Sequence, residues 1–205
     1  DRILSEAGFT YSSTFLSSSY FGSLYMTLAD HMERYARNAV DDCRVGLYQN
    51  FVTSNFNVEN EVAIYFGDET TASGFFDVGN LHNGLSYVAP ESGNVEFSYS
   101  IFIQSGGSNW TVGSVYVEVV SASGQSSGSV ITVLATQGQI AQVTATGVIP
   151  DVQQYEAVQL RIWFDPIFQI SNPDQNVTVL QSNGGVNSFI YFKGATYKFI
   201  AFSSF

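Results

Sequence analysis

From Asn94 to Ile103 the chain alternates almost without a break: Val95, Phe97, Tyr99, Ile101 and Ile103 are apolar, and Asn94, Glu96, Ser98 and Ser100 between them are polar, with Phe102 out of step. A side-chain period of two puts the five apolar residues on one face of an extended strand, which a helix cannot do. A strand with one apolar face needs a second layer to cover it, so the pattern demands a packed β-sheet. Val115, Val117 and Val119 repeat the logic against Tyr116, Glu118 and Val120.

The rest of the chain after Asn55 keeps to short β-like segments. Val62 to Phe66 is followed by Gly-Asp, Phe75 and Phe76 precede Gly-Asn, and Asn83-Gly84 is a further turn signal. Val130 to Leu134, then Ile140, Val143 and Ala145, then Val158, Leu160, Ile162 and Phe164, then Val177 and Val179 mark later strands, and two more flank Gly194. Pro150, Pro166 and Pro173 are expected in connections, where a missing amide does no harm. A parallel α/β fold would need crossover helices, and nothing after residue 55 supplies them. The expectation is mainly β: an antiparallel sandwich or jelly roll.

The first 55 residues read differently, which predicts two regions, 1–55 and 56–205. Residues 1 to about 21 show no sustained period and suggest an extended arm whose aromatics Phe9, Tyr11, Phe15, Tyr20 and Phe21 would lie on a partner surface. From Leu24, the positions Leu28, Met32, Tyr35, Ala36, Ala39, Cys43 and Leu47 follow at steps of one, three or four, predicting one α-helix. Arm and helix together would anchor or assemble the domain that follows.

Charge narrows the partners. Formal net charge is -11, and no Lys or Arg occurs between Arg44 and Arg161, so the basic footprint that phosphate backbones require is missing and nucleic acid is not an expected partner. No apolar run reaches transmembrane length, and membrane insertion is not expected. Charged residues make up only 12%, which leaves Ser, Thr, Asn, Gln and Gly to cover the surface and favours an assembled, viral or secreted protein over a cytosolic enzyme. Cys43 is the lone cysteine, so no intrachain disulfide can form.

Residues 87–101, Tyr-Val-Ala-Pro-Glu-Ser-Gly-Asn-Val-Glu-Phe-Ser-Tyr-Ser-Ile, resemble the signature of C1q/TNF-like globular heads, in which a short strand is followed by Ala-Pro, a turn glycine and an aromatic strand. Tyr155 to Ile162 is similar to the family's later strand, and Tyr197-Lys-Phe199-Ile-Ala-Phe202 to its apolar final strand. The resemblance covers roughly residues 60 to 205. It implies a C1q/TNF-like jelly roll assembled as a homotrimer, with Tyr197, Phe199, Ile200, Phe202 and Phe205 at the trimer interface, used for recognition rather than catalysis. The apolar ending also demands a cover, from the fold or from another copy.

Catalytic chemistry is not evident. His31 and His82 stand apart from any nucleophile–base pattern, and Asp68, Glu69 and Asp77 beside turn glycines read as turn acids. No cofactor is expected. Calcium is a minor alternative through Asp151, Asp165, Asp174 and Asn172, which lack a dense ligand spacing. Trp110, with Asn109 before it, is the candidate ligand-binding loop, for a glycan or a protein receptor, and anchoring of that loop on the sandwich is the competing role. The expected function is a virion or phage surface fibre or spike component acting in host attachment, with other virion proteins held by the arm. The alternative is a structural minor capsid, spike-base or cement protein, and a secreted, extracellular C1q-like binding protein stands third.

Overall fold

The computed structural model describes residues 34–36, 41–54, 61–70, 73–107, 110, 112–166 and 175–199, with the side chains of 34–36, 53–54, 165–166 and 195–199 left out. It divides into a unit of residues 1–36 with 198–205 and a unit of residues 37–197. The first contributes strand β1 (Arg34–Ala36). The second begins with β2 (Cys43–Gly46), β3 (Phe51–Ser54), β4 (Val62–Ala63), β5 (Phe76–Asp77) and β6 (Tyr87–Val88). Then come the long strands β7 (Gly93–Gly106), β8 (Gly113–Ser121), β9 (Ser126–Leu134), β10 (Ile140–Val152) and β11 (Ala157–Pro166). Strands β12 (Asn176–Leu180), β13 (Ser182–Asn183), β14 (Val186–Asn187) and β15 (Phe189–Phe199) close the order, the last two residues of β15 belonging to the first unit.

Two large antiparallel sheets result, besides the two-stranded β13–β14 pair. The first runs β3–β12–β7–β15–β2–β5, with β10 on the other edge of β7; the second runs β4–β11–β8–β9, with β6 beside β4 on β11. From β7 to β11 the chain passes from the first sheet into the second for two strands, back for β10, and across again, the alternation of a jelly roll. The alternation that opened the sequence is what joins the layers. Val95, Phe97, Tyr99, Ile101 and Ile103 of β7 are buried against Val115, Val117 and Val119 of β8 and Val158, Leu160, Ile162 and Phe164 of β11. Pro150 lies inside β10, not in a connection, at the place where pairing with β7 shifts register between Ile149 and Val152; a bulge is where a strand tolerates a residue that cannot donate.

Residues 62–68 form a seam between the layers. Val62 and Ala63 pair with β11 in the second sheet, the Ile64 amide donates to Leu160 O at 2.9 Å, and Asp68 exchanges both backbone bonds with Gly46 of β2 in the first.

Two expectations change here. A helix through residues 24–47 is not what the chain forms at Arg34–Ala36 and Cys43–Gly46, which are strands; the remainder of that stretch up to Val40 lies outside the described residues. The boundary at 55/56 falls inside the sandwich, because β2 pairs with β15 and β3 with β12. Cys43, Val45 and Leu47 alternate inward into the core, and that burial, not a helical stripe, accounts for their apolarity.

Candidate functional site

Trp110 sits between β7 and β8, half-buried. Its indole N–H donates to Leu134 O at 3.0 Å, and its ring lies 5.2 Å from that of Phe164. The polar handle of the side chain is therefore used inside the fold, tying the loop to the end of β9. Asn109 lies outside the described residues, as do the arm aromatics Phe9, Tyr11, Phe15, Tyr20 and Phe21 and the terminal Ile200, Phe202 and Phe205; Tyr197 and Phe199 are described only as backbone of β15.

Two of the acids read as turn residues, Asp77 and Asp68, bond within turns. Asp77 accepts the backbone N–H groups of Leu81 and His82, both at 2.8 Å, and Asp68 accepts the Thr70 amide and hydroxyl. His82 is buried; its Nδ1 accepts the Gly84 N–H at 3.0 Å, and burial pushes its pKa down to about 4 against a weaker opposing pull from Asp77. A neutral imidazole whose Nδ1 is already bonded inside the core is not placed to serve as a base. Among the described residues no three His, Cys, Asp or Glu gather as metal ligands; Asp174 and Asn172 lie outside them, as does the side chain of Asp165.

What the fold brings together is a pair of surfaces. On the outward face of the first sheet, Ile140, Gln142, Thr144, Thr146 and Val148 of β10 are all exposed and none is charged. Beside them a groove of about 440 Å³ is lined by Glu96, Ser98, Thr146, Val148, Tyr191 and Lys193. Lys193 pairs with Glu96 at 2.8 Å, and the Tyr191 hydroxyl donates to Asp42 at 2.8 Å, so the walls are fixed by bonds on the face itself. Further along, the Arg44 guanidinium lies 4.2 Å from the centre of the Phe189 ring and 6.0 Å from that of Phe75.

On the outward face of the second sheet, Trp163 of β11 and Tyr116 of β8 stack at 5.1 Å and 5°. Cross-strand pairing places Ile131 of β9 next to Tyr116, and Ile131 and Val133 are exposed. Arg161 pairs with Glu61 at 2.8 Å beside them. Burial first, and Glu61 after it, raise the pKa of Glu118, while the Ser126 hydrogen bond and Arg161 pull it down. Arg44 and its aromatic neighbours were not among the residues singled out from the sequence. The alternation across Cys43, Val45 and Leu47, which sets Arg44 on the opposite face, was the signal available for it.

No protein-family model matches the chain, and no curated protein matches it. Among solved structures the chain is similar to one described as Eiger TNF from S. frugiperda, at 10% identity and a TM-score of 0.47, over 75% of this chain and 90% of that one.

Proposed function

We propose that this chain is a non-enzymatic, C1q/TNF-like jelly-roll head that assembles as a homotrimer and works by building and presenting a surface, on a virion or outside a cell. The charge-free run of outward positions from Ile140 to Val148 on β10 is the observation that carries this reading. The centre of a subunit contact is depleted of charge, and here five successive outward positions on a long strand carry none, in a chain with a net charge of -11. Tyr197, Phe199, Ile200, Phe202 and Phe205 would extend the contact, and Phe9, Tyr11, Phe15, Tyr20 and Phe21 would reach other virion proteins. Within this class the internal bond of Trp110 favours a building role, as a minor capsid, spike-base or cement component, over host attachment through that loop.

Mass measurement in solution tests the assembly. The native chain is expected at three times 22.4 kDa, and Thr144→Glu, which adds a carboxylate at an exposed position, is expected to run as a folded monomer. A native chain that stays monomeric at micromolar concentration, or a trimer indifferent to Thr144→Glu, would overturn the reading.

A further inference from the structure

Arg44 projects from the outward face of β2 with Phe76 of β5 and Tyr191 of β15 as its cross-strand neighbours. Two residues on, Gly46 has no side chain, and a Cβ there would collide with the Phe75 ring, which fills that space. Arg44 thus lies with its guanidinium against the Phe189 ring, and with the Phe75 ring farther off at 6.0 Å. Its Nε–H is buried and meets no acceptor, and its guanidinium makes no ion pair among the described residues. A buried donor left unpaired among the described residues is costly, and in so acidic a chain a cation without an ion pair among them stands out. Three carboxylates on neighbouring stretches are committed elsewhere: Asp42 accepts from the Tyr191 hydroxyl and the Gly194 amide, Asp68 from Thr70, and Asp77 from Leu81 and His82.

We propose that Arg44, Phe75 and Phe189 form a carboxylate-binding site. Rings against a guanidinium leave its N–H edge as the part still able to bond, and a planar, two-oxygen acceptor matches that edge. A singly charged carboxylate suits the site better than a phosphate dianion, which the net charge of -11 repels more strongly. The carboxylate comes from a second copy of this chain or from a separate acidic partner. The site itself stands whether or not the chain assembles.

The Nε–H resonance of Arg44 in the full chain tests this by NMR in two arms. If a second copy supplies the carboxylate, the resonance shifts on dilution; if a separate partner does, it is insensitive to dilution and shifts on titration with glutarate. Arg44→Gln is expected to abolish glutarate binding, and Arg44→Lys, which keeps the charge but loses the fork, to weaken it roughly ten-fold. Either variant also reports on folding through the remaining amide spectrum. A resonance indifferent both to dilution and to glutarate overturns the proposal. A monomer that binds glutarate at Arg44 overturns only the trimer, and a trimer with an indifferent Nε–H overturns only the site.

Discussion

Acidification from pH 7 to pH 4 is expected to weaken the sandwich through His82. The imidazole lies 5% exposed between the Phe66 ring, at 6.3 Å edge-on, and the Phe192 ring, at 6.4 Å. Protonation would place a charge among those rings and put a proton on the Nδ1 that accepts the Gly84 amide. Burial accordingly holds the pKa at about 4, against an ordinary 6.5. The unfolded chain therefore takes up this proton first as pH falls. His82 contributes its full stabilisation above about 6.5, and loses it as pH falls through about 4. At about 1.36 kcal/mol per pH unit, the difference comes to about 3 kcal/mol, a large part of the roughly 5 to 15 kcal/mol typical of a domain. Asp41, Glu69 and Glu118 act with the opposite sign, because their raised pKa values let the folded state take up protons first. Urea unfolding of the native chain and His82→Gln across pH 8 to 4 cancels that shared background and leaves His82. Parallel stability curves, or an imidazole C–H signal titrating near 6.5, would refute the argument.

Other perturbations probe the bonds between layers. Tyr99→Phe removes a buried hydroxyl that reaches from β7 to Gly128 O at 2.8 Å, and is expected to cost about 1 to 2 kcal/mol in chemical denaturation; no measurable loss would mean that this contact between the sheets does not contribute. Trp110→Phe is expected to cost about 1 kcal/mol and Trp110→Ala roughly 2 to 3 kcal/mol, less than for a fully buried Trp, while a loop built only for ligand contact would leave stability unchanged.

The long strands were legible because their signal is local. The apolar residues Val95, Phe97, Tyr99, Ile101 and Ile103 alternate in the sequence and are all buried, with Ser100 and Phe102 also buried although they face the other way. The error before residue 47 has a specific cause. Cys43 and Leu47 are four apart, a spacing that fits both one turn of a helix and two double steps of a strand, and it is Val45 between them that fits the strand alone. Short strands such as β5 and β6 are held by distant partners in β2 and β11, so two or three residues carry little pattern of their own. Gly128 shows the same limit. It lies within β9 at φ 66°, where the ladder with β8 shifts register and the close Phe97 ring leaves no room for a side chain, contacts that no local pattern announces. The Arg44 site was hidden because two of its parts, Phe75 and Phe189, come together only through the pairing of β2 with β5 and β15.

The seam at residues 62–68 couples the fates of the two sheets. The amides of Ile64, Phe66 and Asp68 donate in turn to Leu160, Gly84 and Gly46, so one short stretch of backbone is moored to both layers within five residues. Peeling away either layer strips those moorings before the other can survive alone, which makes the sandwich one cooperative unit instead of two stacked ones. A single cut beside the exposed Tyr65 would thus loosen the whole head while leaving every long strand intact.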